Sequence, residues 1–334
     1  MNAALLARLR DAHGEFLSWT ELGSDPLRSV QEVEELAGFG HVLEQHPYFG
    51  VAYRGPSPRL CPDQIEWELN TRVIGRRLAV WERVASTNDL AASAARSRAN
   101  EGLVVLAESQ TAGRGRRGRS WVVPSGSSLL MSVLLFPTGS LALTSHLMAL
   151  GAVAVAELVT EVIGREARIK WPNDVRVDGQ KVAGVLVERG AGSVIGIGLN
   201  VNLLPEDFPD DLGQSATSLR ILVGGFLDRS ELARDLIRRL DDLYDRSKID
   251  GSGRLDSVWS RLLEPLGRDV SLQTTRGIVR GRLISADLVR GLVVEENSGT
   301  MRRIEPCDVL GIDATEGEIM VPGDRNPLSG RPLE

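Results

Sequence analysis

The chain has 334 residues, 42% hydrophobic and 25% charged, with a formal net charge of −6. That length allows two or three domains of roughly 100–200 residues each, and the acidic balance excludes a surface built throughout for nucleic acid, though not a local basic site. Two cysteines, Cys61 and Cys307, lie far apart with no CxxC or Cys/His cluster nearby, which argues against a disulfide framework or zinc site and for a reducing cytoplasm.

Residues 1–16 carry Arg8, Arg10, Asp11 and Glu15 and lack the apolar core of a signal peptide. Leu5, Leu6 and Leu9, then segments 17–22 and 30–36, read as short helices broken by Gly14, Gly23 and the Gly38/Gly40 pair, and residues 51–53 as a short strand. The punctuation at Gly55, Pro56, Pro58 and Pro62 marks a boundary. Three small helices and a strand over 1–62 predict a helix-turn-helix or winged-helix module.

Beyond residue 62 the pattern changes. Residues 78–84 alternate as a half-buried strand does, and Ser86-Thr87-Asn88-Asp89 signals a helix start ahead of an alanine-rich run. Strands are predicted over 103–107 and 128–135, a long buried helix over 141–163, and further strands over 168–171, 175–177, 182–188 and 194–202. The most apolar stretch, 147–156, is half the length of a membrane span of about 20 residues, so no membrane partner is expected. Short connections between strands imply an α/β (α+β) fold with a mixed or antiparallel sheet and helices packed on one face, in a domain over 63–265. Residues 230–243 form an amphipathic helix. Short strands with glycine turns over 266–313 predict a small β barrel, and the Pro-, Gly- and charge-rich tail 314–334 is expected to be disordered.

The most informative stretch is Gln110-Thr111-Ala112-Gly113-Arg114-Gly115-Arg116-Arg117-Gly118-Arg119-Ser120-Trp121. Glycines let backbone approach a ligand closely, and guanidinium groups give bidentate contacts to phosphate or carboxylate. Together they make an anion clamp. A solvated basic loop and an arginine-rich nucleic-acid segment are the competing readings. A P-loop is excluded, because Arg119-Ser120 stands where Lys-Ser/Thr is required and Pro124 follows where a helix should open.

A second constellation, Lys170-Trp171-Pro172-Asn173-Asp174, sets an amide beside a carboxylate at a strand end. That pair suits a base edge, a ribose or a Mg²⁺-bound phosphate, and equally the capping of a tight turn. Lys181 opens the apolar strand Lys181-Val182-Ala183-Gly184-Val185-Leu186-Val187-Glu188, where its ammonium either faces a ligand or snorkels to solvent.

Taken together, these motifs, with Ser86-Thr87-Asn88 upstream and Gly196-Ile197-Gly198-Leu199-Asn200-Val201-Asn202 downstream, resemble the biotin protein ligases in order and spacing over about residues 78–311. The resemblance implies a catalytic domain related to class II aminoacyl-tRNA synthetases, then a small SH3-like barrel. It implies activation of biotin by ATP and Mg²⁺ to biotinyl-5'-AMP, and transfer to a lysine of a biotin carboxyl carrier protein. Carried over, Ser86, Thr87, Asn88, Gln110 and Gly184 line the biotin pocket. Arg114, Gly115 and Arg116 close over biotin and the α-phosphate, and Lys181 meets the carboxylate and acyl phosphate, so Lys181, Arg116 and Arg114 are the expected catalytic set. Arg116, Arg117, Arg119, Trp121, Asn173, Asp174 and Asn200 face ATP, with Asp174 the one protein candidate beside a phosphate-held Mg²⁺.

Many bacterial members add a DNA-binding winged helix and act as biotin-responsive repressors. Here residues 1–62 hold five Lys/Arg against eight Asp/Glu, a net of −3, and the expected recognition helix reads Val30-Gln31-Glu32-Val33-Glu34-Glu35-Leu36. Phosphates would repel that helix, which predicts a degenerate module that has lost DNA binding. A lipoate-type ligase is the alternative acid-activating reading, with the arginine–glycine loop and Gln110 favouring biotin. The four histidines, His13, His41, His46 and His146, show no metal or triad spacing and read as structural. The sequence sets no oligomeric state and is compatible with a homodimer.

Overall fold

The structure, a computed structural model, describes residues 1–209 and 215–314. The chain divides into two units, Met1–Glu264 and Pro265–Glu334. The tail expected to be disordered lies, from residue 315 on, outside the described residues.

The first unit begins with α1 (Ala3–Asp11), α2 (Trp19–Leu22) and α3 (Pro26–Phe39). Local chemistry sets each start. Asn2 and Asp25 accept from the first-turn amides of α1 and α3, and Ser18 and Glu21 form a reciprocal capping box on α2. Leu5, Leu6, Leu9, Leu22, Val33, Leu36 and Val51 close a small core beneath a hairpin of β1 (Val42–His46) and β2 (Gly50–Gly55). The sequence reading contained only the second of these strands. Glu44 and Gln45 hide β1 from a hydrophobic pattern, and His46 Nδ1, accepting from the amides of Tyr48 and Phe49 at 3.2 Å, fixes the turn.

After α4 (Pro62–Glu66), an eight-stranded sheet runs in the order β10-β6-β7-β8-β9-β5-β4-β3. Its strands are β3 (Arg77–Val84), β4 (Leu103–Gln110), β5 (Ser128–Leu135), β6 (Arg168–Lys170), β7 (Asp174–Val177), β8 (Gln180–Arg189), β9 (Ser193–Asn200) and β10 (Leu263–Glu264). Only β3–β4 and β10–β6 pair parallel, so the sheet is mixed, as the short connections predict. The Asp178-Gly179 turn, both residues at positive φ, joins β7 to β8 as a two-residue hairpin.

Helices cover both faces, not one as the sequence pattern suggests. The core helix α6 (Thr144–Ile163) lies on one, with Gly151 close against Val185 and Ile195. Its apolar length, the one such helix among the described residues, is explained by twelve buried residues. The short α5 (Thr87–Ser93) lies on the other because it buries Ala91 there, packed with Val105, Leu134 and Val194. The remaining helices are α7 (Leu219–Val223), α8 (Arg229–Asp250) and α9 (Gly253–Leu262), and α8 extends well past the amphipathic segment read at 230–243. Arg229, 2% exposed, donates to Glu108 Oε2 at 2.6 Å, to the Ser128 carbonyl at 3.1 Å and to the Pro58 carbonyl. It therefore ties the segment at Pro58 to β4 and β5 of the eight-stranded sheet.

The second unit is an antiparallel five-stranded sheet of β11 (Asp269–Thr274), β12 (Gly277–Asp287), β13 (Gly291–Glu295), β14 (Met301–Ile304) and β15 (Val309–Ala314), ordered β14-β13-β12-β11-β15. Val270, Leu272, Val279, Leu283, Leu292, Val294, Ile304, Val309 and Ile312 are buried in it.

Candidate active site

The face of the sheet that carries α5 also carries the arginine–glycine loop. That loop is a tight hairpin: Gly115 N donates to the Arg119 carbonyl at 2.7 Å, and Trp121 N to the Gly113 carbonyl at 2.9 Å. Arg116–Gly118 turn over at its tip, with Arg117 and Gly118 at positive φ. Residues 121–124 then run on without helix, which agrees with rejecting a P-loop.

Beneath the hairpin, at the start of α5, sits a buried polar cluster. Gln110 Oε1 accepts from Thr87 N at 2.7 Å and from Thr87 Oγ1 at 3.0 Å. Ser132 Oγ lies 2.8 Å from Thr87 Oγ1 and 2.5 Å from Asn88 Oδ1. Asn88 Nδ2 donates to Glu188 Oε2 at 2.6 Å. Ser86, Thr87 and Asn88 are each 5% exposed or less, so these groups sit in a low-dielectric setting where each lost partner is costly. Gly196 makes the space: a Cβ there would stand 2.3 Å from Asn88 Oδ1.

Two residues further along β9, Gly198 faces Gly184 of β8 across the ladder. The ring of Trp121 lies over that pair, 2.5 Å from where a Gly198 Cβ would stand and 3.2 Å from one at Gly184. Its buried Nε1 has no hydrogen-bond partner among the described residues. Lys181 Nζ lies 5.4 Å from the ring centroid and 2.7 Å from Asp174 Oδ1. Strict alternation from Gly184 would turn Lys181 to the opposite face. Instead Val175 pairs with Ala183 and Arg176 with Lys181, leaving Val182 as an extra residue, and this bulge brings the ammonium to the side of Trp121.

The arginines part company. Arg116 is half-buried, and its Nη1 donates to Asn173 Oδ1 at 3.3 Å. Burial, and then the neighbouring Arg117, pulls its pKa below the ordinary arginine value. Asn173 in turn donates through Nδ2 to the Val185 carbonyl at 2.7 Å, which fixes its orientation. Arg114 turns instead to Asp89 and Glu188. Arg117 and Arg119 are exposed on the hairpin, and Asn200, at the end of β9, donates to the Thr217 carbonyl at 3.1 Å. Among the described histidines, His41 and His46 accept backbone amides, as structural histidines do.

Three neighbours of these groups carry no role in the sequence reading. Ser132 is the only hydroxyl-bearing residue inside the apolar run Leu129–Leu135 of a wholly buried strand, a signal the sequence does carry. Asp89 and Glu188 sit within quoted motifs, but only the fold brings them to one guanidinium.

The sheet thus carries α6 on one face, and on the other a cationic hairpin beside a buried amide cluster, an arrangement suited to an anionic ligand with a polar head. The sequence profile of the Biotin/lipoate A/B protein ligase family matches residues 80–202. The bifunctional ligase/repressor BirA of Bacillus subtilis is 31% identical over 315 residues, spanning 91% of this chain and 97% of that protein. The biotin–[acetyl-CoA-carboxylase] ligase of Mycobacterium tuberculosis is 39% identical over 197 residues, 55% of this chain and 71% of its own length. Biotin protein ligase from Aquifex aeolicus, solved with biotin and ATP, superimposes with a TM-score of 0.64 at 26% identity, covering 72% of this chain and 100% of that one. The chain belongs to the biotin/lipoate protein ligase family, in its biotin protein ligase branch.

Proposed function

We infer that this chain is an ATP-dependent biotin protein ligase that makes biotinyl-5'-AMP and passes biotin to a lysine of a biotin carboxyl carrier protein. The observation that carries this reading is the spacing on β9. Gly196 lies under the amide cluster and Gly198 under Trp121, whose ring Lys181 Nζ approaches to 5.4 Å; the two glycines are about 7 Å apart along the strand. A ureido-binding pocket and a cationic reaction centre are thus adjacent on one surface.

Ser86, Thr87, Asn88 and Gln110 supply the polar ring for the ureido group, and Gly184, beside Lys181 and Trp121, lines the pocket where it runs to the reaction centre. Such a site rejects acids that lack those hydrogen-bonding groups. In the first step a biotin carboxylate oxygen bonds to the α-phosphorus, and the bond to the bridging oxygen of pyrophosphate breaks. Like charges meet there, and Arg116 and Lys181 offset their repulsion. Arg114, Gly115 and Arg116 close over the product and keep water away. In the second step the carrier's neutral lysine nitrogen bonds to the acyl carbon, AMP leaves with the acyl–oxygen bond pair, and the amine proton is lost.

Trp121 walls the nucleotide, with Arg117, Arg119, Asn173 and Asn200 toward its phosphates and sugar. Asp174, whose Oδ1 meets Lys181 Nζ at 2.7 Å, is the carboxylate that would stand beside a Mg²⁺ held by the phosphate oxygens. When bound the ion supplies positive charge at the phosphates. Biotin-dependent exchange of labelled pyrophosphate into ATP tests this step. Exchange with lipoate but not biotin would move the chain to the lipoate-type alternative.

We also read the catalytic domain (63–265) as class II synthetase-like, the five strands from 266 to 313 as an SH3-like barrel and residues 1–62 as a winged-helix-like module. The Bacillus protein's name includes repressor, but α3 here exposes Gln31, Glu34 and Glu35 to solvent. A DNA backbone would meet carboxylates on that helix. The module in this reading has lost DNA binding, and a gel shift at low salt with biotin and ATP tests it. Cys61 and Cys307 are free thiols, in keeping with a cytoplasmic setting. A homodimer remains compatible with the fold.

A further inference from the structure

Arg114 is held at both ends. Its Nη1 and Nη2 grip Asp89 of α5 at 3.0 and 2.7 Å, and its Nε and Nη2 grip Glu188 of β8 at 3.1 and 2.9 Å. One guanidinium thus bridges two carboxylates on separate elements and pins the base of the hairpin to the sheet. The charges answer one another: Arg114 holds both carboxyls below their ordinary range, and the two carboxylates raise Arg114.

Glu188 has a second duty. Its Oε2 also accepts from Asn88 Nδ2 at 2.6 Å. Asn88 is 5% exposed, its Oδ1 lies 2.5 Å from Ser132 Oγ, and Gly196 leaves no spare room beside it. The amide therefore has one orientation, set by Ser132 on one side and Glu188 on the other. No other acidic side chain touches both the pocket and the hairpin among the described residues.

We propose that Glu188 is a positioning residue that couples the substrate-facing amide of Asn88 to closure of the arginine–glycine hairpin, so that the pocket is shaped and covered together. The proposal rests on the reading of Asn88 as a biotin contact and of the hairpin as the cover of the adenylate.

Two variants separate the two duties. Glu188→Gln keeps an oxygen acceptor for Asn88 but removes the charge that holds Arg114. Glu188→Met removes both. Losing a charge-assisted hydrogen bond corresponds to about tenfold or more in an equilibrium constant. Glu188→Gln is therefore expected to release free biotinyl-AMP about tenfold faster, with the KM for biotin within about threefold of the parent. In Glu188→Met the adenylate leaks and the KM for biotin also rises about tenfold. Arg114→Met should leak like Glu188→Gln, and the double variant should leak no more than the worse single.

The measurements are biotin KM, adenylate release from preloaded enzyme and thermal unfolding, made on the full chain. A folded Glu188→Met with parent-like KM and release overturns the proposal and leaves the ligase reading intact. Additive leakage in the Glu188→Gln/Arg114→Met pair overturns the coupling. A parent that forms no biotinyl-AMP overturns the reading and the proposal with it.

Discussion

Lys181 Nζ stands 2.7 Å from Asp174 Oδ1, and the two meet because a bulge at Val182 turns the lysine to the face that carries Trp121. The ammonium is partly exposed, so the pair adds little to folding. In the proposed function its charge acts in the reaction instead. Lys181→Ala should lower biotinyl transfer by at least about tenfold while the melting temperature stays near the parent's. Steady-state transfer assays and circular dichroism check this, and near-normal turnover would remove Lys181 from the reaction.

Arg116 is the half-buried guanidinium of the hairpin, anchored at 3.3 Å to the oriented amide of Asn173. Arg116→Ala should loosen the cover over the acyl phosphate, and free adenylate should appear in the medium faster than carrier is modified. Filter retention of labelled adenylate is the measurement. Retention equal to the parent's would contradict the clamp.

Gly196→Ala tests the pocket from its floor. The added Cβ would stand 2.3 Å from Asn88 Oδ1, and backbone cannot retreat within the central strand β9. Asn88 must shift, leaving its hydrogen bonds misaligned, so the KM for biotin should rise about tenfold while that for ATP changes little. An equal effect on both would point to general disruption of the sheet.

Arg229→Met tests the joint between the segment at Pro58 and the sheet. It would strand Glu108, which also accepts from Leu60 N at 2.6 Å, in a mostly buried setting. Breaking a buried pair from one side costs about 3–5 kcal/mol. Denaturant unfolding should show that loss, and a change below about 1 kcal/mol would mean the site rehydrates freely.

Cys61 is 1% exposed, and burial pushes its thiol up to about 11. An unfolded thiol ionises near about 8.5, so the folded state holds the proton over that interval. The resulting stability is present below about pH 8.5 and is lost as pH rises toward 11. At pH 8 a thiol reagent should titrate exposed Cys307 in the native protein, and both cysteines only after denaturation. Two fast thiols in the native state would contradict this burial.

The regular elements were legible because their patterns are local. The strand at residues 128–135, the buried helix beyond it and the Asp178-Gly179 turn follow from apolar runs and turn chemistry. β1 was hidden, since Glu44, Gln45 and His46 lack a hydrophobic period. The site was legible as motifs but not as a division of labour. Four arginines look alike in sequence, yet Arg114 faces two carboxylates and Arg116 an amide, and that choice depends on Asp89 and Glu188, 25 and 74 residues away. The bulge that aims Lys181 is likewise a matter of register with β7, which no spacing within β8 reveals.

The most direct test of the central claim is the mass of a biotin carboxyl carrier domain after incubation with this protein, biotin and Mg·ATP. A gain of one biotinyl group on a single lysine, absent when ATP or biotin is left out, is the expected result. A carrier mass unchanged under those conditions, with a known ligase modifying the same preparation, would contradict it.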